Sequence, residues 1–227
     1  MQARHVTVKD VERTVLHVPF HARCARTMQV YGPGWGIVEL CRVTTAAGVV
    51  GVGETIQGYT WGRSGPAEFD RVRGANVFDC LWDDSLGAGL QMALFDAAGK
   101  LLGVPCHRLV GPQHRDACPL SWWAQSMPPE EWASEALAAL GEGFTSMKVK
   151  ARPWYDLDAQ LAAVGRSAPL HFRLDVDFNG LLLGADVAVP LLSGLELRHP
   201  RLAIVESPIP QQDVPGALAE QAGLVDM

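Results

Sequence analysis

The sequence is short of several things, and each absence narrows its function. It has no apolar run of about 18 residues, the length that a membrane-crossing helix needs, so no membrane span is expected. It has no CxxC pair and no Cys/His cluster; its five cysteines, Cys24, Cys41, Cys80, Cys106 and Cys118, are scattered. That scatter suits reduced thiols in a cytoplasmic protein better than a zinc site or a disulfide framework. Positive charge is scarce: 19 Lys and Arg stand against 25 Asp and Glu, a net charge of -6. With no basic stripe either, a nucleic-acid partner is not expected. No GxGxxG follows a predicted strand and no GxxxxGK[ST] exists, which removes the signatures of dinucleotide and P-loop nucleotide binding. The N-terminal MQARHVTVKDVERT is too charged for a secretion signal.

What is there is a globular composition, 48% hydrophobic and 19% charged over 227 residues, enough for one large core or two small ones. Residues 4–18 alternate as a strand does, and HARCARTMQVYGPGWG, rich in Gly and Pro at its end, is expected to be a loop. IVELCRVTTAAGVVGVGET reads as two strands around an Ala46-Ala47-Gly48 turn, its later glycines suiting a tight hairpin. Residues 57–84 carry no clean period. Leu86, Leu90, Ala93, Leu94, Ala97 and Leu101 recur at helical spacing. Asp84 or Ser85 is placed to cap that helix, and Gly103 with Pro105 to stop it.

From about Ala117 the rhythm changes to strand–helix repeats. ACPLSWWA, TSMKVK, LHFRLDVD and LAIVE read as strands. Helices are expected in PPEEWASEALAALGEG, DLDAQLAAV, ADVAVPLLSGLEL and QDVPGALAEQAG, with Pro190 near the first turn of the third. Four β–α units in a row build a parallel sheet with right-handed crossovers, either doubly wound or a barrel. Chemistry in such barrels sits at the C-terminal ends of the strands. Charge clusters there: Lys148 and Lys150 two apart on one strand face, Asp177 closing the next strand, Glu206 the one after. Hard carboxylate oxygens suit Mg²⁺. A lysine becomes a useful base when a second ammonium or a metal ion lowers its pKa. Asp175 lies on the same face as Asp177 and competes with it as a ligand. Trp122 and Trp123 are adjacent on a strand, so at most one faces the site. His171 and His199 show no partner pattern and are expected to be structural or exposed.

Five segments in order resemble the enolase superfamily, in its mandelate racemase/muconate lactonizing branch. Residues 37–54 (IVELCRVTTAAGVVGVGE) look like the end of the family's N-terminal domain, and residues 92–112 (MALFDAAGKLLGVPCHRLVGP) like the helix leading into its barrel. MKVK matches the K-x-K of the second barrel strand, VDFNG at 176–180 the D-x-N of the third, and VESPIP at 205–210 the end of the fourth.

The resemblance implies an α/β fold in which an α+β N-terminal capping domain (1–116) precedes a partial, about four-unit, modified (β/α) barrel (117–227). It implies Mg²⁺ as cofactor and removal of the α-proton of a small carboxylate, a hydroxy acid or acid sugar, to give an enediolate. Racemisation, dehydration or cycloisomerisation would follow. By motif position, Asp177 and Glu206 would be metal ligands, Lys150 the base, Lys148 its orienting partner or a counter-ion for the substrate carboxylate, and Asn179 a substrate neighbour. Tyr31 and Trp35 sit where the family's cap reaches substrate. The third ligand and the opposing base are expected beyond residue 227. The chain is therefore expected to be poorly active alone and to form a homo-oligomer or pair with a C-terminal half. A non-catalytic module acting in assembly or binding is the alternative.

Overall fold

The structure, a computed structural model, describes residues 3–57, 64–210 and 212. It divides into two compact units, Met1–Ala117 and Cys118–Met227. In the first, β1 (Val8–His17), α1 (Ala22–Tyr31), β2 (Ile37–Thr45), β3 (Val50–Ile56), α2 (Pro66–Val72), α3 (Ala88–Leu102) and the single-turn α4 (His107–Val110) follow one another. The strands form an antiparallel meander in the order β1-β2-β3. Its β2–β3 turn is closed by Gly48 in the left-handed region, φ 78°.

The glycines of β3 have a different purpose from the hairpin packing that the sequence suggests. A Cβ on Gly51 would stand 2.1 Å from the Ala93 carbonyl oxygen, and one on Gly53 2.1 Å from that of Gly89. They let α3 lie backbone-close on the sheet, which buries Leu90, Leu94, Ala97 and Ala98 completely. The same helix covers the sheet's edge. Asp96 accepts from the Val52 amide at 2.8 Å, and Lys100 donates to the Val50 carbonyl at 2.9 Å. Edge groups that would otherwise invite another strand are thereby satisfied.

Two boundaries differ from expectation. The α3 helix begins at Ala88, because Asp84–Leu86 forms a 3₁₀ turn capped by Asp83 and Gly87 breaks it at φ 81°. Residues 22–31 are helical rather than loop. The glycines and the proline of that stretch all lie at 32–36, and the ten residues before them bury Thr27 and Met28 on one side.

In the second unit, β4 (Trp122–Trp123), α5 (Pro129–Gly141), β5 (Ser146–Lys150), α6 (Leu157–Ser167), β6 (Arg173–Asp177), α7 (Ala185–Arg198) and β7 (Leu202–Glu206) alternate. The four strands are parallel, in the order β4-β5-β6-β7. Spatial order equals chain order and a helix makes each crossover, so this is a partial (β/α) barrel. Met147, Val149, Leu174 and Val176 point to the helices and pack with Trp132, Leu161, Val164, Leu192 and Leu195. Period-two alternation then leaves Lys148, Lys150, Asp175 and Asp177 on the opposite face.

The β4 strand is much shorter than 117–124, since Pro119 has no amide hydrogen to give a ladder and Leu120 is exposed. Pro190, expected near the first turn, is the sixth residue of α7, early in its second turn. The helix tolerates it because Asp186, whose carbonyl loses a helix bond to the proline, is exposed to water. The helix predicted at 212–223 lies, apart from Gln212, outside the described residues. Among the described residues no helix is long and apolar enough to cross a membrane.

Candidate active site

Strand register builds the site. Lys150 is level with Asp177 across β5 and β6, Lys148 with Asp175, and Asp177 with Glu206 across β6 and β7. All five side chains therefore rise from one face near the strands' C-terminal ends. Lys150 Nζ donates to Asp177 Oδ2 at 2.5 Å and to Asn179 Oδ1 at 3.1 Å. Lys148 Nζ is bonded to Glu206 Oε2 and stands 3.4 Å from Asp177 Oδ2. The five strand-end residues that the motifs single out (Lys148, Lys150, Asp177, Asn179, Glu206) thus fall within one cluster of hydrogen bonds and ion pairs.

Burial grades the members. The Asp177 side chain is 1% exposed and that of Lys150 11%, while Lys148 and Glu206 reach 26% and 39%. Burial alone raises the Asp177 carboxyl. The hydrogen bonds from Lys150 and the Asn179 amide, and the charges of Lys150 and Lys148, overturn it and leave its pKa below the ordinary value. Asp175 moves the other way. Burial pushes its carboxyl up, and the neighbouring charges of Glu206 and Asp177 add to the effect; its Oδ1 is buried with no hydrogen-bond partner among the described residues. For Lys148, burial pulls the ammonium down, but the Glu206 hydrogen bond and the charges of Glu206, Asp177 and Asp175 outweigh it and raise its pKa. Around Lys148, then, carboxylates rather than the second ammonium set the balance.

Just beyond the strand ends the backbone is strained. Asn179 has φ 51° and Ser207 φ 44°, conformations that few non-glycine residues adopt and that cluster at functional sites. Asn179 tolerates it because its amide N–H bonds back to Asp177 Oδ1 at 2.8 Å. Gly180 N–H to Ser207 O at 2.6 Å ties the two loops together. Beside them a cavity of about 330 Å³ is lined by Asn179, Gly180, Ser207, Pro210 and Gln212.

The donor chemistry suits a divalent cation. Asp177 and Glu206 offer hard carboxylate oxygens side by side, and one cation, the Lys148 ammonium, already lies against both. Among the described residues no three His, Cys, Asp or Glu groups form a cage, so these two would hold the ion with other oxygens completing its shell.

Other expectations resolve plainly. Trp122 packs edge-on against Phe144 and donates to Glu135 at 2.7 Å. Trp123 is level with Lys148 and so shares the site's face. His199 bonds Asp158 at 2.9 Å, and His171 is exposed. Tyr31 ends α1, and Trp35 lies in a 3₁₀ turn of the first unit. One neighbour went unread in the sequence: Arg152, two residues past Lys150, whose Nη2 donates to Asn179 Oδ1 at 2.6 Å. A third cation two residues beyond KxK continues its spacing, but it lies past the end of β5 at Lys150, where alternation no longer fixes a face.

No protein-family profile matches the chain. Individual relatives do. It is 29% identical to a D-galactonate dehydratase of Variovorax paradoxus over 83% of this chain and 50% of that one. It is also 29% identical to muconate cycloisomerase 1 of Rhodococcus opacus, over 58% of this chain and 41% of the other. Among solved structures, the dipeptide epimerase of Enterococcus faecalis, complexed with Mg and the dipeptide L-Leu-L-Tyr, shares the fold. Its TM-score is 0.71 at 18% identity, over 96% of this chain and 65% of the epimerase. The chain spans about half the length of the galactonate dehydratase it matches. With the sequence motifs and the strand-end constellation in the same order, these likenesses support the enolase superfamily, in its mandelate racemase/muconate lactonizing branch, as the chain's family.

Proposed function

We propose that this chain carries the metal- and base-bearing half of a Mg²⁺-dependent site that removes the α-proton of a small carboxylate, a hydroxy acid or acid sugar. The observation that carries it is the level placement of Asp177 and Glu206 beside two lysines on adjacent strands. Asp177 and Glu206 would hold the ion, and the neighbour complexed with Mg supports that choice of metal. Bound there, Mg²⁺ would stabilise the negative charge that develops on the substrate carboxylate.

The chain's own residues do the rest. Lys150 Nζ, held between Asp177 and Asn179, takes the α-proton as an amine and returns it as an ammonium. Lys148, more exposed, faces the substrate carboxylate as its counter-ion. Asn179 and Ser207 border the cavity where the substrate's polar groups would lie. The galactonate dehydratase and the muconate cycloisomerase frame the reaction as elimination or cycloisomerisation of a carboxylate. The same reading gives the chain a cytoplasmic location, with all five thiols free.

The test is exchange of the C2 proton of D-galactonate in deuterated water with Mg²⁺, followed by proton NMR at high protein concentration. Exchange that Lys150→Ala abolishes supports the reading. Exchange that survives Lys150→Ala rejects that base, and exchange indifferent to Mg²⁺ and to Glu206→Gln rejects the metal role.

A further inference from the structure

Asn179 Oδ1 lies between two cations. It accepts from Lys150 Nζ at 3.1 Å and from Arg152 Nη2 at 2.6 Å, while its Nδ2 donates to Asp177 Oδ2 at 3.2 Å. A flipped amide would aim N–H groups at two cations and an oxygen at a carboxylate. Electrostatics therefore allows one orientation only. The shorter of the two cationic bonds is Arg152's.

Arg152 is itself fixed. Its Nη1 donates to its neighbour's carbonyl, Ala151 O, at 2.6 Å and approaches Asp177 O at 3.5 Å. Ala151 N–H also donates to Asp177 O, at 3.0 Å. The guanidinium thus spans the ends of β5 and β6, where its planar fork of donors meets three oxygens at once; a lysine offers no such geometry. Its reach matters because Asn179 stands in a strained left-handed conformation and is exposed, so hydrogen bonds rather than burial hold its side chain.

We propose that Arg152 is a positioning residue: it locks the Asn179 amide, and through Nδ2 it fixes the Asp177 carboxylate beside Lys150. The lock stands on the hydrogen bonds alone. Its consequence for a metal ion rests on the reading of Asp177 as a ligand.

The experiment has two readouts on the full chain. In ¹⁵N-labelled protein, with Asn179→Ala assigning the signals, the side-chain NH₂ protons of Asn179 are sharp and well separated. Arg152→Met, which keeps the stem and removes the donors, shifts both signals towards those of a free asparagine side chain and lowers their ¹⁵N heteronuclear NOE, and Arg152→Lys restores them in part. Unchanged Asn179 signals in Arg152→Met overturn the proposal. The second readout is Mn²⁺ affinity by electron paramagnetic resonance. Arg152→Met and Asn179→Ala each weaken binding about tenfold, as loss of a group that orients a ligand does, and the double variant is no weaker than either. Additive losses overturn the proposal, since Arg152 would then act through the backbone carbonyls instead. If the wild-type chain does not bind Mn²⁺, the metal reading of Asp177 and Glu206 fails, and the NH₂ signals still decide the role of Arg152.

Discussion

Asp177 on β6 and Glu206 on β7 face the same side of the sheet because the pairing of their strands skips Ala203. Leu174 pairs with Leu202, but Asp175 pairs with Ile204 and Asp177 with Glu206. Partners across a ladder share a face, and a slip of one residue reverses it. Without the skip, Asp177 would pair with Val205, and Glu206 would point at the helices. One extra residue thus aims the second carboxylate, a common use of a bulge beside a site.

Deleting Ala203 is therefore expected to turn Glu206 inward. Lys148 loses its partner, and a carboxylate enters an apolar layer. Mn²⁺ affinity should fall to that of Glu206→Gln, and the melting temperature should fall further than in that variant. Retained Mn²⁺ affinity in the deletion would show that the skip does not aim Glu206.

Lys150 and Asp177 form a nearly buried pair, so removing either partner costs stability unequally. In Asp177→Leu the Lys150 ammonium keeps only Asn179 Oδ1, and the loss should be about 3–5 kcal/mol. In Lys150→Met the loss is smaller, because Lys148 stands 3.4 Å from Asp177. The double variant should recover much of the larger loss. Urea midpoints of the four proteins give the coupling, and strict additivity would deny the pair.

The fit of α3 on β3 predicts a sharp contrast among glycines. Gly53→Ala places a methyl 2.1 Å from a backbone oxygen that cannot swing aside, and it should destabilise the first unit by at least about 1–3 kcal/mol. Gly48→Ala meets nothing within 4 Å and costs only its left-handed conformation, about 1 kcal/mol. Thermal melts of both variants separate steric from conformational cost.

Much of this was legible in the sequence, for identifiable reasons. Period-two alternation placed Lys148, Lys150 and Asp177 correctly, since a strand leaves its side chains no other choice. The stripe from Leu86 to Leu101 gave α3, all but Leu86 lying in it, and Gly103 its end. What escaped depends on tertiary contact. That Gly51 and Gly53 serve a helix some forty residues on cannot be seen from a hairpin. The skip at Ala203 leaves no mark on LAIVE, and the Arg152 clamp joins residues 27 apart. The α1 helix was hidden because the glycines and proline that end it coloured the whole stretch. Of Trp122 and Trp123, alternation showed that only one could face the site; register with Met147 and Lys148 decided which.

Cys41 gives the pH dependence with its sign. The side chain is fully buried, and its thiol lies 3.6 Å from Glu39 Oε1. Burial first, then the Glu39 charge and that hydrogen bond, push its pKa from 9.0 up to about 12. The protonated thiol is thus favoured by folding. Its contribution to stability is complete below about pH 9, the range of an unfolded thiol. It is then lost as pH climbs through about 12, the folded value, because the unfolded chain can ionise there and the folded one cannot. Stability of the wild type should therefore fall more steeply than that of Cys41→Ala between those limits, measured by urea midpoints at stepped pH. Parallel slopes would deny the shift. At pH 8 iodoacetamide should label Cys106 and Cys118, which are exposed, and reach Cys41 only as the chain unfolds.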